Sequence, residues 1–548
     1  MMGTKRRTRG RTDFVVFGIA GALAVAFVLW GGLGTNSLST VTTTMLGWLE
    51  SNFGWAYVLA ASGFVLFVLW LAFSRYGKIV LGRDEDTPEF KTLPWIAMMF
   101  AAGMGIGLMF YGVSEPLTHY TDPPPGTARA GTGAALDTSM ATTMFHWALH
   151  PWAFYAVVGL AIAYSTFRRG RPQLVSSAFI PLIGDHAKGW IGRLIDILAI
   201  FATLFGSAAS LGLSALQIGS GLKAAGFMSS VSTIVLVVVI VVLTAAFIFS
   251  AVSGIERGVQ WLAATNGILG VAVALFVFIA GPTVFILNLL PTTLGDYLKE
   301  LPGMAARTEA SGGLDMARWL SKNTMFYWAW WISWTPFVGM FIARISRGRT
   351  IRQFVGGVIL VPSVISLVWF AIFGGAAITT QRGGLNLAAR SQEGQLFGLL
   401  QQYPAATVTS LVVMILVGIF FVSGADAASI VMGSLSQRGS TEPNKAVIAF
   451  WGALTGAVAA IMLIIGGGGE SALTGLQNLT IIVASPFVIV MVLLCIALVR
   501  DLRRDRVVLR DDKGAEVIEA AVEHGTERYG EDFYLTVDSP SRKKSKRS

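Results

Sequence analysis

The sequence predicts an all-α polytopic membrane protein with twelve transmembrane helices, on three observations. Apolar runs about twenty residues long recur along the chain, charged residues make up only 13% of its 548 positions, and the basic residues collect between the runs. A soluble domain carries roughly 25% charged residues. Soluble packing cannot hide a chain that is 54% hydrophobic, whereas a bilayer accepts helices that are apolar all round.

A run of about 20 apolar residues is long enough to cross the hydrocarbon core as a helix. Such runs lie near 14–33, 54–74, 94–113, 141–167, 194–220, 230–252, 259–290, 324–343, 353–376, 407–434, 446–467 and 473–499. The seventh is long enough to include a re-entrant piece. The first follows a basic start (Lys5, Arg6, Arg7, Arg9, Arg11), but it is too long for a secretory signal and ends without a small-residue cleavage site, so it reads as a retained helix. The connections near 114–140, 291–323 and 377–406 are rich in Gly, Pro and polar residues and read as surface loops, with room for short helices.

Orientation follows from charge. With a cytoplasmic N-terminus, 33 of the 41 lysines and arginines fall in inner connections and the tail, and 8 fall outside. The positive-inside rule then puts both termini in the cytoplasm. The net charge of +10 is spread over these short clusters, so it describes membrane topology and not a nucleic-acid surface. The single cysteine, Cys495, excludes an intrachain disulfide or a cysteine metal site. There is no HExxH pattern, no phosphate-binding glycine loop and no convincing nucleophile–base pair, so the chain does not read as an enzyme, and no organic cofactor is expected. A passive channel would need a continuous polar pore lining, which the runs do not offer.

The third run contains Gly103-Met104-Gly105-Ile106-Gly107. Each glycine inside a helix costs roughly 1 kcal/mol relative to alanine. Gly103 and Gly107 have the spacing of a small-residue packing stripe. The alternating triplet in mid-span points instead to an unwound stretch, where freed N–H groups bind a substrate carboxylate and freed C=O groups bind a cation.

The fourth run reads His146 to Tyr155 and holds Trp147, Trp152 and Tyr155. On a straight helix Trp147 and Trp152 point about 140° apart, and Pro151 can kink the helix and close that gap. In the eighth run Tyr327, Trp330, Trp334, Phe337 and Phe341 share one face at 3-4-3-4 spacing, and Trp331 borders it. These rings lie too deep and too densely for an interfacial belt alone. Most single rings suit core packing. As a set they suit a quaternary ammonium, which donates no N–H hydrogen bond but binds ring faces at about 0.5–2 kcal/mol each.

The segments Gly103 to Gly112, His146 to Tyr155 and Trp328 to Gly348 resemble the betaine/choline/carnitine transporter family, and the resemblance covers roughly 14–500. It implies a leucine-transporter-like core of two inverted five-helix repeats. The layout is then a basic N-terminus (1–13), two accessory helices (14–93), a first repeat with its outer connection (94–323), a second repeat (324–500) and a charged tail (501–548). It implies import of a zwitterionic quaternary-ammonium osmolyte such as glycine betaine, in the bacterial cell (inner) membrane, by a homotrimer.

By the same resemblance Trp147, Trp152, Tyr155 and Trp331 form an aromatic box and Trp330 and Trp334 line the inner path. Choline carriers of the family carry an acidic residue at the place of Gly107, so Gly107→Asp is expected to shift selectivity toward choline. Sodium would bind backbone carbonyls of Ala101, Met104 and Phe420 with the Ser423 hydroxyl, and a second ion Thr203, Ser207 and the Phe337 ring. Gly424 stands where sodium-coupled members carry a second hydroxyl, so the first of these sites is either weakened or completed by water. The seventh run lacks the basic side chain of sodium-independent exchangers. Proton coupling, or a choline, ectoine or proline substrate, remains open. Asp426, deep in the tenth run, suits a helix-to-helix hydrogen bond or a proton relay, and His146 and His150 beside the box suit packing. Arg344, Arg347, Arg349 and Arg352 suit inner anchoring or contact with the tail. The tail, with a short helix over Ala515–His524 and a basic end, suits either a solvated segment or a sensor of anionic lipid.

Overall fold

The structure, a computed structural model, describes residues 12–103, 105–253, 256–466 and 472–536. Among the described residues no strand forms, and the one β contact is an isolated bridge between Val80 and Thr350. The chain divides into two units, Met1–Leu498 and Val499–Ser548.

Span 1 is Phe14–Leu33, capped by the Asp13 carboxylate, which accepts from the Val15 and Val16 amides at 3.1 and 3.4 Å. Span 2, Thr35–Phe73, starts well before the predicted 54. Its polar front stays helical because Thr40, Thr42, Thr43 and Thr44 return their hydroxyls to carbonyls one turn back, a local use of polarity compatible with helix. Span 3 is cut into Thr92–Gly103 and Ile106–Thr121. Span 4 is cut into Gly133–Trp147 and Leu149–Ala163. Spans 5 and 6 are Trp190–Ala224 and Thr233–Ser253. Span 7, Glu256–Ala280, turns by 110° at Gly281-Pro282 into a second helix, Thr283–Ala305. Spans 8 to 12 are Phe326–Ile345, Ile351–Arg382, Ala406–Ser436, Lys445–Ile465 and Ala472–Leu502.

Among the described residues nine helices are long and apolar enough to cross a membrane, and the bent pair makes ten. The remaining two predicted spans are span 3, divided in two, and span 8, whose tryptophans and tyrosine lower its mean hydropathy without making it polar inside the bundle. Lipid-facing surface is apolar where a soluble protein would be charged: Phe249 of span 6 is 72% exposed.

The packing exchanges partners between the two halves. The second half of span 4 packs on span 8, as span 9 packs on the second half of span 3. Span 5 packs on span 11, as span 6 packs on span 10, and spans 5 and 10 pack on each other. These pairs map onto one another when spans 3–7 are exchanged with spans 8–12, and they place spans 3, 4, 5 and 8 around one centre.

Two predicted surface loops are built differently. The 291–323 stretch is largely helical, with the end of Thr283–Ala305 followed by Glu309–Leu320. The 377–406 connection carries helix Gln392–Leu400, whose Leu396, Phe397, Leu399 and Leu400 are buried against span 5 and the second half of span 3. On the opposite face, Leu81 of the 74–91 loop donates its amide to the Arg349 carbonyl at 2.8 Å and accepts from the Gly348 amide at 2.9 Å, both in the turn after span 8. Gly348 has φ +82°, and a Cβ there would lie 2.0 Å from the Thr87 carbonyl oxygen, so only glycine fits. Arg347 pairs with Asp86 at 3.3 Å, and the Arg83 amide and Arg347 together hold the Asp86 carboxyl below its usual range. Arg349 covers Trp95 and donates to the Phe90 carbonyl at 2.9 Å, and Arg352 donates to the Ala72 carbonyl at 2.8 Å, so these arginines tie the end of span 8 and the start of span 9 to the loop and its flanking helices.

In the second unit, the tail helix runs over Arg506–Tyr529, longer than Ala515–His524. Asp505 caps it through the Val507 amide at 2.9 Å, and Gly530 ends it at φ +64°. The predicted basic end from Arg542 and the basic start from Lys5 lie outside the described residues.

Candidate functional site

The break in span 3 falls at Gly103–Gly105. Gly105 is non-helical (φ −105°, ψ −124°), and no side chain caps the helix that follows it. Gly107 belongs to that helix, so the unwound stretch is shorter than the glycine triplet suggests. Met104 and the Ala101 side chain lie outside the described residues.

Around this break the aromatic residues converge. A methyl group placed on Gly103 would come within 2.6 Å of Trp152 and 3.3 Å of Tyr155. One on Gly105 would lie 3.5 Å from Trp334. One on Gly107 would come within 2.6 Å of Trp147 and 2.8 Å of Trp330. Each glycine is therefore a floor on which an indole or phenol edge rests. Trp331 closes the set: its ring lies 4.9 Å from Trp147 at 90° and 6.1 Å from Tyr155 at 88°, and it stacks on Trp330 at 5.2 Å. Trp152 meets Tyr155 edge-on at 5.4 Å. All six predicted rings are buried.

Span 4 supplies its rings through a second break. The break lies at Ala148 (φ −103°, ψ −108°), three residues before Pro151. Proline lacks the N–H that would bond the Trp147 carbonyl four residues back, and its ring crowds that carbonyl. The Ser366 hydroxyl of span 9 donates to the freed Trp147 carbonyl at 3.0 Å. The Trp331 indole donates to the His146 carbonyl at 3.0 Å. The break thus supplies two acceptors: the Trp147 carbonyl that Pro151 leaves free, taken by Ser366, and the neighbouring His146 carbonyl, which holds Trp331. Span 5 holds the other two indoles: Trp330 donates to the Ser210 hydroxyl at 3.2 Å and Trp334 to the Gly206 carbonyl at 3.3 Å. The buried Trp152 indole N–H has no partner among the described residues.

A cavity of about 20 Å³ lies beside the break, lined by Ser207, Phe337, Phe420, Gly424 and Trp334, among others. Space of that size holds about one water-sized particle. Three of the predicted ion ligands, drawn from both expected sites, meet here. Thr203, one turn from Ser207, returns its hydroxyl to the Ala199 carbonyl at 2.8 Å, and Ser423 donates to the Phe420 carbonyl at 3.1 Å; neither lines the cavity. A side chain on Gly424 would meet nothing within 4 Å.

Asp426 accepts from Ser250 of span 6 at 3.0 Å, a helix-to-helix hydrogen bond, while its other oxygen has no partner among the described residues. His150 stacks on Trp328 at 5.0 Å and makes no hydrogen bond there. Sequence reasoning missed Glu115. It lies two residues past the predicted end of span 3, in a Ser-Glu-Pro stretch that reads as loop, yet it is buried and helical. The Glu115/His119 pair, one helical turn apart, is the available signal. Glu115 accepts from the Trp147 indole and bonds His146 Nδ1 at 2.6 Å, so His146 does more than pack. It also lines a larger cavity of about 260 Å³ with Tyr111, Tyr327, Lys322 and Arg390, on the face carrying the 377–406 connection.

Ten spans packed with two interrupted ones around a buried aromatic cluster are the build of a membrane transporter. The chain belongs to the BCCT (betaine/carnitine/choline) family of transporters, whose model matches residues 15–507. It is 45% identical over 535 residues to the betaine/ectoine transporter LcoP of Corynebacterium glutamicum, covering 97% of this chain and 84% of the relative. It is 43% identical over 505 residues to the glycine betaine transporter OpuD of Bacillus subtilis, covering 92% and 96%. A solved Na+-coupled sialic acid symporter aligns at a TM-score of 0.37 and 16% identity, over 80% of this chain and 86% of that one.

Proposed function

We propose that this chain is a sodium-coupled importer of a zwitterionic quaternary-ammonium osmolyte, glycine betaine or a close analogue, working by alternating access. One observation carries the reading: the three glycines at the break in span 3 each abut rings contributed by spans 4 and 8. The rings receive the onium head through their faces, which requires no acid in the box. The carboxylate is received by the uncapped backbone at Gly105. The names of the two curated relatives agree with a betaine-class substrate.

Sodium is the preferred coupling ion because Ser207, the Phe420 segment and the Phe337 ring border one small cavity next to the break. An ion held there stabilises the same unwound backbone that receives the substrate, which couples the two. The larger cavity is the approach from outside, and both termini are cytoplasmic by the distribution of basic residues. A second reading, proton coupling, is favoured by the unpaired oxygen of Asp426 in span 10.

The test is radiolabelled uptake into reconstituted liposomes. Betaine, ectoine, proline, choline and carnitine are compared with and without sodium, at several pH values. Betaine-class uptake that requires sodium is expected. Full uptake without sodium, driven by an imposed pH gradient, replaces the ion, and preference for choline replaces the substrate.

A further inference from the structure

We infer that Glu115 is a positioning residue for the aromatic box, acting through the indole of Trp147. The inference rests on the box reading above and adds a residue outside it. Glu115 touches none of the glycines, and its place is set by what it holds. The second half of span 3 grips Trp147 at both ends of its ring: Gly107 lies under the six-membered edge, and Glu115, two turns further along the same helix, accepts the indole N–H. A ring fixed at two points on one helix has little freedom to rotate about its side-chain torsions. Its orientation against Trp331 and Trp330 is then set by span 3, the element that breaks at the site.

The carboxylate is itself fixed from three sides. Its Oε2 takes the indole, and its Oε1 faces His146 Nδ1 at 2.6 Å and His119 Nε2 at 3.4 Å. His146 is anchored in turn by Thr324 at 3.0 Å and stacks on Tyr327 at 4.8 Å. A carboxylate buried this completely is costly unless each oxygen is bonded, and here each is. Glu115, Tyr327 and His119 also line the 260 Å³ cavity, so the clasp stands between that cavity and the box. Movement of this one carboxylate would release the Trp147 wall on the side from which substrate arrives.

The experiment is a double-mutant cycle on reconstituted full-length protein, read as KM and kcat for betaine uptake and as the betaine-induced change in tryptophan fluorescence. Glu115→Ala is expected to raise KM roughly tenfold or more, the effect of losing a hydrogen bond to a charged group, with a smaller change in kcat. Glu115→Gln, whose carbonyl still accepts the indole N–H, is expected to recover much of the loss. In a Trp147→Phe background, which has no N–H to hold, the Glu115 substitutions are expected to leave KM nearly unchanged. If Glu115→Ala does not reach the membrane folded, Glu115→Gln is compared with Glu115→Leu across the two backgrounds. Glu115 substitutions that change KM equally with and without the Trp147 indole N–H overturn the inference, as does a loss confined to kcat or protein yield. A Trp147→Ala protein with unchanged betaine KM sinks the box reading itself, which separates the two failures.

Discussion

Spans 3 and 4 are both interrupted, and they are interrupted in opposite ways. Span 4 breaks because proline removes a donor, and the carbonyls around that break are taken by protein: Ser366 bonds Trp147, and Trp331 bonds His146. Span 3 breaks at glycines, which remove side chains and leave the backbone groups in place. Its Gly105 end has no side-chain cap, and the Gly103 carbonyl is approached by the Tyr155 hydroxyl at 3.5 Å, the long limit for a hydrogen bond. One break is closed by side chains of spans 8 and 9 and positions rings. The other has no side-chain cap and lies against those rings.

The largest expected effect tests the closed break. Trp331→Ala removes a ring wall and leaves the His146 carbonyl without its donor, so betaine KM in liposome uptake should rise by roughly tenfold to a hundredfold. Pro151→Ala restores the missing N–H and should straighten span 4, carrying Trp147 and Trp152 apart. Betaine affinity, read by fluorescence titration, should fall several-fold while the melting temperature holds or rises, because an interior proline costs a helix about 3 kcal/mol. An unchanged affinity would mean the break is incidental to the box.

The open break is tested at Gly107. The family resemblance suggests that Gly107→Asp turns selectivity toward choline. In the structure a Cβ there meets two indoles at 2.6 and 2.8 Å, so overpacking, about 1–3 kcal/mol, comes before any gain in charge. Betaine uptake should fall roughly tenfold or more, and choline uptake should rise only if Trp147 and Trp330 shift; paired uptake assays measure the ratio. The smallest effect belongs to the ion. Gly424→Ser adds a hydroxyl beside an open space, so the apparent sodium affinity for uptake should tighten by a few-fold, read from sodium titrations, with betaine KM at saturating sodium unchanged.

Local chemistry makes part of this legible in advance. Span 1 falls where its apolar run puts it, near 14–33, because hydropathy over twenty residues is a local property. Ring spacing puts Tyr327, Trp330 and Trp334 on one face, since helical periodicity is local. The errors fall where burial is decided from a distance. Glu115 looks like loop because Ser-Glu-Pro is polar, yet span 4 supplies an indole and a histidine that make its burial tolerable. The helix Gln392–Leu400 looks like surface until spans 3 and 5 present an apolar wall to it.

Residue order alone is enough for a membrane protein of twelve spans, for the two weak points at Gly103–Gly107 and Pro151, and for the stock of rings. These follow from hydropathy, propensity and period, each a property of short stretches. Which glycine faces which ring, that Trp331 and Ser366 find their acceptors at the break in span 4, and that Glu115 grips Trp147 emerge only once the helices are packed. Those facts depend on how residues far apart in the chain meet, and no short stretch of sequence carries that information.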